Sequence, residues 1–264
     1  MDTVSTRAAP RPAMPALSPV AIRVLIILAA VAVWEIAARS GLFYHGVFPS
    51  VLKIVAALWA LLSSPTFYWH LSVTAGELVL AILFGGVSGA VAGYFLGVSH
   101  YLSRVFEKYV YYISATPKII FLPIVIIWFG VDSGSKIGLG AIAAFFPVCL
   151  NIASGVRSVN PVFLRVGRSF KATRGQMIAK IYLPAIRGAA INAARLGLAV
   201  AIISVLLAET KLAKNGLGYL VTQAFNKYDM PTMYALIFFI FIVSVAINTV
   251  MIRMGGEGDS GSSF

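Results

Sequence analysis

Four polar residues in or beside long apolar runs are the side chains of this sequence best suited to act on a solute. Asn151 lies in one run, Asn192 and Arg195 lie in a second, and Glu209 follows the end of that second run. Burying such groups in lipid costs a few kcal/mol, so we expect them to face a cavity or another helix. Asn192 and Arg195 share one face of a helix. The four residues are therefore candidates for lining a translocation path.

Each candidate also has a structural interpretation. Arg195 could attract an anion or pair with an acid of a second chain, or it could extend toward the membrane surface. Asn151 and Asn192 could line a path, or they could form hydrogen bonds between helices. Glu209 is either a gate contact or an acid at the membrane interface. The sequence leaves these alternatives open.

A basic segment, residues 165–184, separates two apolar runs and carries five positive and no negative side chains. Such a segment must lie outside the lipid, and its cationic bias favours the cytoplasmic side. Its apolar residues fall at helical spacing, and Pro184 is expected to end that helix. The segment is either a docking element or a loop that only sets the orientation of its flanking spans.

Enzyme chemistry has no support in the sequence. The chain contains no zinc-protease, paired-cysteine, nucleophile-elbow or complete nucleotide-binding motif. Residues 130–136 fail the phosphate-loop pattern, which requires a lysine directly after the second glycine, and they are expected to form a short hairpin. We therefore predict a protein that is not an enzyme and binds no metal or cofactor itself.

Composition identifies the class of protein. The 264 residues are 59% hydrophobic and only 11% charged, with a net charge of +12, and the mean hydropathy is +0.90. These values are typical of a polytopic membrane protein rather than a soluble domain. The cations are scattered through loops without interleaved aromatic residues, which argues against nucleic-acid binding.

Apolar runs predict an all-α protein with six transmembrane helices. Residues 1–19 are expected to form a disordered cytoplasmic arm, residues 20–254 the transmembrane domain with a loop at 156–187, and residues 255–264 a flexible tail. The predicted spans are residues 20–38, 75–98, 119–131, 136–155, 186–208 and 232–254.

The second predicted span contains a ladder of glycines four residues apart. These glycines are Gly85, Gly89, Gly93 and Gly97. Small residues at this spacing let another helix approach closely. The ladder predicts that this span packs in the centre of the bundle.

Lysine and arginine counts predict the orientation. With the N-terminus inside, fourteen of the 21 basic residues lie in inner segments, six lie in outer segments and Arg195 lies within a span. Positive charge accumulates on the cytoplasmic side. Both termini are therefore expected to be cytoplasmic.

The basic segment resembles the cytoplasmic loop of binding-protein-dependent ABC importer permeases. That loop has the pattern Glu-Ala-Ala, three residues, Gly, nine residues, Ile, one residue, Leu-Pro. Ile181, Leu183 and Pro184 match it, whereas Lys171 stands at the glycine position and residues 165–167 replace Glu-Ala-Ala. A glycine there would permit a positive φ, which lysine resists.

Further segments, in the expected order across residues ~72–253, are similar to the nitrate, sulfonate and taurine branch of these permeases. They are Pro117-Lys118-Ile119, Leu122-Pro123, Trp128-Phe129-Gly130, Ser135-Lys136, Arg195-Leu196, Ala208-Glu209 and Gly216-Leu217-Gly218-Tyr219-Leu220.

The resemblance implies a type I ABC importer permease core in the bacterial inner membrane, with a cytoplasmic coupling helix around residues 170–176. It implies a second permease subunit, a cytoplasmic ATPase dimer that binds ATP and Mg²⁺, and an extracytoplasmic substrate-binding protein. The solute would be a small anion such as nitrate, a sulfonate or taurine. The docking residues would be Arg168, Ser169, Phe170, Lys171, Ala172, Thr173, Arg174, Gly175 and Gln176.

A secondary transporter or channel subunit with no ATPase partner is the alternative function. Secondary transporters usually contain an internal repeat with broken spans in corresponding places. No convincing repeat is found in this sequence, which favours the importer.

Overall fold

The computed structural model describes residues 18–41 and 46–256, and these residues form helices and turns without β-strands. Most of the predicted arm, residues 1–17, and most of the predicted tail, residues 257–264, lie outside the described residues. The helices in chain order are α1 (Pro19–Arg39), α2 (Val51–Leu62), α3 (Pro65–Val98), α4 (His100–Ala115), α5 (Leu122–Phe129), α6 (Ser133–Arg157), α7 (Pro161–Ser169), α8 (Arg174–Met177), α9 (Leu183–Ala185), α10 (Arg187–Leu212), α11 (Leu217–Asn226) and α12 (Met230–Gly256).

The chain divides into two compact units, the first ending at Lys53 and the second beginning at Ile54. In the first unit, Ser18 caps α1 by accepting a hydrogen bond from the Ala21 amide. The Trp34 indole N–H donates to the Pro49 carbonyl at 3.1 Å. The Glu35 carboxylate accepts a hydrogen bond from the Val51 amide at 3.0 Å. Glu35, near the end of the first predicted span, thus satisfies the first amide of α2.

The described residues contain five helices that are long and apolar enough to cross a membrane: α1, α3, α6, α10 and α12. A sixth span is obtained when α4 is combined with the 3₁₀ turn Lys118–Phe121 and α5. This agrees with the all-α, six-span prediction.

The third span differs from the prediction of a helix over residues 119–131. The chain bends by 95° between α4 and the segment Lys118–Phe129. Thr116 is extended because a proline follows it, and neither Pro117 nor Pro123 has an amide hydrogen to continue a helix. The Lys118 ammonium donates to the Ser114 and Thr116 carbonyls, both at 2.6 Å, and so satisfies carbonyls freed at the bend.

The second span also begins earlier than predicted. Helix α3 starts at Pro65, ten residues before the predicted start at residue 75. Proline is favourable in the first turn of a helix because its missing amide hydrogen would have had no partner there. Phe67, Tyr68 and Trp69 therefore lie in the first two turns of α3 rather than in a connecting segment.

Helices α3 and α6 run parallel in close contact along the glycine ladder. A Cβ atom on Gly89 would lie 2.6 Å from the Phe145 carbonyl oxygen, and one on Gly97 would lie 2.9 Å from the Ala153 carbonyl oxygen. Corresponding Cβ atoms on Gly85 and Gly93 would meet the carbonyls of Ala141 and Cys149 at still shorter distances. No residue larger than glycine fits at these positions without moving the backbone of α6.

Helix α10 packs antiparallel against the same pair. Gly140 of α6 faces Ala81 of α3 and Val205 of α10, while Gly197 of α10 faces Val148 of α6. Small residues therefore bring three spans together around α6. This core positions the polar groups described next.

Candidate functional site

The basic segment forms a helical hairpin. One arm is α7, which begins with Pro161 and is capped by Asn160, whose side-chain oxygen accepts from the Val162 amide at 2.9 Å. The other arm is α8, a π-helical turn (Ile178–Tyr182) and α9. The arms touch at Gly167, where a Cβ atom would lie 2.6 Å from the Met177 sulfur. The missing side chain of Gly167 thus permits the close approach of the two arms.

The helix predicted around residues 170–176 is wrong in position. Residues 170–173 form the turn between the arms, and α8 begins only at Arg174. Thr173 and Gln176 form a capping box: the Gln176 amide donates to Thr173 Oγ1 at 3.3 Å, and the Thr173 amide donates to Gln176 Oε1 at 2.9 Å. The predicted docking residues therefore straddle the turn and the start of α8.

The helical arm ends just after Pro184 and before α10 begins, as the sequence predicted. The arm continues to Ala185, and the helical geometry changes at Ile186 before α10 begins. Pro184 follows the π-helical turn directly. Because proline has no amide hydrogen, it cannot donate the backbone hydrogen bond that a regular helix would require at this position.

Lys171 adopts the left-handed conformation, with φ of 51°. Its amide donates to the Arg168 carbonyl at 2.9 Å, and the Ala172 amide donates to the Gly167 carbonyl at 3.0 Å. This is the hydrogen-bond pattern of a Schellman motif, in which glycine normally occupies the left-handed position. Lys171 thus takes the conformation of the glycine that it replaces in the resembling pattern.

Replacing Lys171 with glycine should therefore stabilise the protein. Left-handed φ costs a side-chain-bearing residue about 1–2 kcal/mol, and the greater freedom of glycine in the unfolded chain offsets about half of that gain. We expect K171G to raise the thermal midpoint in detergent by a small, reproducible amount. Gly175, in α8 with open space around its Cα, serves as the control: G175A should not lower the midpoint. A lower midpoint for K171G would contradict the assignment of strain to Lys171.

The hairpin has an open groove and an exposed apolar tip. The groove has a volume of 690 Å³ and is lined by side chains that include Phe163, Val166 and Ile181. Phe170, at the tip, is 82% exposed. Arg168, Lys171 and Arg174 are also exposed around it. An exposed phenylalanine surrounded by cations has the composition of a docking surface.

Three predicted path residues form one hydrogen-bonded chain. Arg195 donates to Asn192 Oδ1 at 2.8 Å, and the Asn192 amide donates to Asn151 Oδ1 at 3.1 Å. Asn151 in turn donates to the Pro147 carbonyl at 2.8 Å. The two asparagines thus connect α6 to α10.

Arg195 also lines a small cavity between α10 and α12. The cavity has a volume of 280 Å³, and Ser244 and Asn248 of α12 contribute polar atoms to its lining. Arg195 and two polar residues of α12 thus line the same cavity.

The fourth predicted residue, Glu209, lies elsewhere. It is separated from Arg195 by fourteen residues of α10, or about 20 Å of helix. It is 1% exposed and is therefore buried among the helices rather than open to solvent. Its carboxylate accepts hydrogen bonds from Thr74 Oγ1 at 2.6 Å and from the Gly218 amide at 2.7 Å.

Glu209 belongs to a buried charge cluster that the sequence analysis did not identify. Glu77 of α3 and Lys136 of α6 form an ion pair at 3.1 Å, with side chains only 3% and 4% exposed. Glu77 lies one turn along α3 from Thr74, which donates to Glu209, so the two carboxyl groups are neighbours. The cluster joins α3, α6 and α10 at the end of the bundle where α10 terminates.

A glycine-containing loop encloses the Glu209 carboxylate. A Cβ atom on Gly216, which has φ of 111°, would collide with this carboxylate, and one on Gly218 would lie 3.1 Å from Oε2. The Gly216 amide donates to His70 Nδ1 at 3.1 Å, and the Leu217 amide donates to Thr74 Oγ1 at 2.8 Å. The end of the loop after α10 and the first turn of α11 are thus held through their backbone amides.

One signal in the sequence could have revealed this cluster. Extending the four-residue glycine ladder toward the N-terminus gives Ala81 and then Glu77, and both are buried on the α3 face that meets α6. Lys136 was instead assigned to an outer loop, because a lysine at the start of an apolar run usually lies outside the membrane.

Comparison with known proteins identifies the family to which this chain belongs. The model of the family described as binding-protein-dependent transport system inner membrane component matches residues 85–256. The sulfonate permease SsuC of Escherichia coli (strain K12), named as a putative aliphatic sulfonates transport permease, is 28% identical over 194 residues, 74% of each chain. The formylaminopyrimidine transport permease ThiX of Halalkalibacterium halodurans is 28% identical over 227 residues, 84% of this chain and 88% of the relative.

The fold also has a solved counterpart. A crystal structure of the MetNI methionine ABC transporter in an inward-facing conformation contains a chain similar to this one, with a TM-score of 0.59 and 17% identity. The alignment covers 79% of this chain and 97% of that chain. The predicted type I importer permease fold is thereby confirmed. The family match covers most of the chain and includes the glycine ladder, the hairpin, and Lys136 and Glu209 of the buried cluster. This chain belongs to the family of binding-protein-dependent transport system inner membrane components.

Proposed function

We propose that this chain is the membrane-spanning permease subunit of an ATP-driven importer and that the hairpin of residues 161–185 couples it to a cytoplasmic ATPase. The ATPase dimer, rather than this chain, binds ATP and Mg²⁺. A second permease subunit completes the translocation path, and an extracytoplasmic binding protein delivers the solute. The observation that carries the proposal is the helical hairpin with exposed Phe170 at its tip.

The packing at the base of the hairpin allows it to transmit force to the spans. Tyr182 and Ile186 at its base are buried in one apolar cluster with Val148, Ile152 and Val156 of α6. Displacement of the tip therefore acts on α6 and α10 together rather than being absorbed by a flexible linker. Approach of two such hairpins, driven by closure of the ATPase dimer, would rock the two permeases between inward-open and outward-open states.

Orientation follows from the same proposal. An ATPase in the cytoplasm requires the hairpin to be cytoplasmic, which agrees with the concentration of lysine and arginine in that segment. The protein then lies in the bacterial inner membrane with both termini inside. The Glu77–Lys136–Glu209 cluster lies toward the extracytoplasmic side.

A small anion is the proposed solute class. Arg195, held by Asn192 and facing the cavity with Ser244 and Asn248, supplies a positive charge within the span. Sulfonates, the solutes named for SsuC, carry the complementary charge. ATP hydrolysis by the reconstituted complex, compared between sulfonates, nitrate, taurine and the neutral pyrimidine type named for ThiX, tests this class.

Co-purification tests the coupling. The tagged chain, extracted in detergent from its own host, should bring down an ABC ATPase that mass spectrometry identifies. The K171E/R174E variant should lose most of that ATPase, because two exposed cations beside Phe170 become anions. We expect equal amounts of permease in both samples.

A matched variant controls for charge alone. Lys211 and Lys227 are exposed cations at the opposite end of the bundle, so K211E/K227E makes the same change of charge and should retain the ATPase. Retention by K171E/R174E would place the docking surface elsewhere. No ATPase from a folded wild-type sample would favour the alternative, a secondary transporter or channel subunit.

A further inference from the structure

One oxygen of the buried charge cluster has no hydrogen-bond donor among the described residues. Glu77 Oε1 accepts from Lys136, but Glu77 Oε2 is buried without a partner. Leaving a buried carboxylate oxygen unpaired is costly, since the oxygen loses its water and gains nothing in return. The residue is only 3% exposed, so bulk water does not satisfy it.

The neighbouring carboxylate makes the problem greater. Glu209 interacts with Glu77, and its own two oxygens are occupied by Thr74 and the Gly218 amide. The only cation in hydrogen-bond contact with either carboxyl group among the described residues is Lys136. His70 adds no charge when its Nδ1 accepts from the Gly216 amide. Two ionised carboxylates and one ammonium would leave one uncompensated negative charge in the bundle.

We propose that Glu77 and Glu209 bind a single proton between them. The proton supplies the missing donor at Glu77 Oε2 and makes the cluster electrically neutral. Two adjacent buried carboxyl groups characteristically ionise only once, because the second charge would be repelled by the first. A metal cation is a poor alternative, because the Lys136 ammonium already lies 3.1 Å from Glu77 Oε1 and would repel it.

The proton binds at a junction of four elements. The cluster joins α3, α6 and α10 to the first turn of α11 through Thr74, Lys136 and the backbone amides of residues 217 and 218. Loss of the proton would place an unpaired charge between α3 and α10. The protonated cluster therefore favours the packed arrangement of these helix ends that the structure shows.

Infrared spectroscopy of the full-length protein in detergent tests the proposal. Protein labelled with ¹³C-glutamate is compared with unlabelled protein at neutral pH. The difference should contain the carbonyl stretch of one protonated glutamic acid, whose proton does not exchange with the bulk buffer. The band should disappear in E77Q, whose amide supplies a permanent donor and leaves Glu209 paired in charge with Lys136. The band should also disappear in E209Q, because Glu77 then pairs with Lys136 as a carboxylate.

The control is E107Q, which alters the exposed pair between Glu107 and Arg157 and should leave the band unchanged. If E209Q does not fold, the wild type and E77Q alone decide the question. Absence of the band from the wild type, or its persistence in E77Q, would overturn the proposal. So would a band lost in E107Q, which would assign the proton to Glu107.

Discussion

The double variant G89L/G93L is expected to yield no folded, monodisperse protein in detergent. Both glycines face backbone carbonyls of α6 rather than flexible side chains, so the added leucines cannot be accommodated by a change of rotamer. Overpacking usually costs about 1–3 kcal/mol per site, and displacement of a whole helix is expected to exceed that range. The two losses together are comparable with the total stability of many proteins, about 5–15 kcal/mol.

The same helix supplies matched controls. Gly86 lies one residue away on another face, and a Cβ atom there would meet only the Ile82 side chain of its own helix at 3.8 Å. Gly76 has open space around it. G86L and G76L should therefore purify like the wild type by size-exclusion chromatography. Normal solute uptake by G89L/G93L would show that α3 does not pack against α6 as described.

The second large effect is expected for K136M. This change leaves Glu77 and Glu209 buried together without a cation, and removal of one partner from a buried ion pair typically costs about 3–5 kcal/mol. We expect a large fall in the thermal midpoint and reduced expression. The exposed pair Arg157–Glu107 provides the comparison, because R157M should cost about 1 kcal/mol or less.

A double-mutant cycle separates charge from packing. E77Q should lower the thermal midpoint less in the K136M background than in the wild type, because the ion pair that E77Q breaks is already absent there. A cycle of this kind measures the coupling between residues in contact. If E77Q lowered the midpoint equally in both backgrounds, the loss in K136M would be due to the lysine stem rather than to its ion pair with Glu77.

The overall fold could be predicted from the sequence because its signals are long and repeated. Six apolar runs are visible without knowledge of partners, and the glycine ladder identifies a packed face at a fixed spacing. The ends of the helices were less accurate. Pro65 starts α3 ten residues early, and the bend before α5 depends on how Lys118 satisfies the carbonyls of residues 114 and 116.

The candidate sites could be predicted only in part. Asn192 and Arg195 are close in sequence, so helical geometry places them together. The Glu77–Lys136–Glu209 cluster joins residues from three separate spans, and their proximity depends on the register of those spans. Single-sequence periodicity does not determine interhelical register. The left-handed conformation of Lys171, by contrast, could be anticipated from the sequence, because the family pattern that the segment resembles has a glycine at that position.

The contact between α3 and α6 combines a repetitive packing surface with one ion pair that fixes its register. A glycine every fourth residue presents nearly the same surface after each turn, so sliding by one turn, about 5.4 Å, would meet little steric resistance from the ladder itself. Such a slide would bring Ala81 rather than Glu77 opposite Lys136 and leave two buried charges unpaired. The packing surfaces of α3 and α6 alone would accept several axial positions. The ion pair therefore selects one of them.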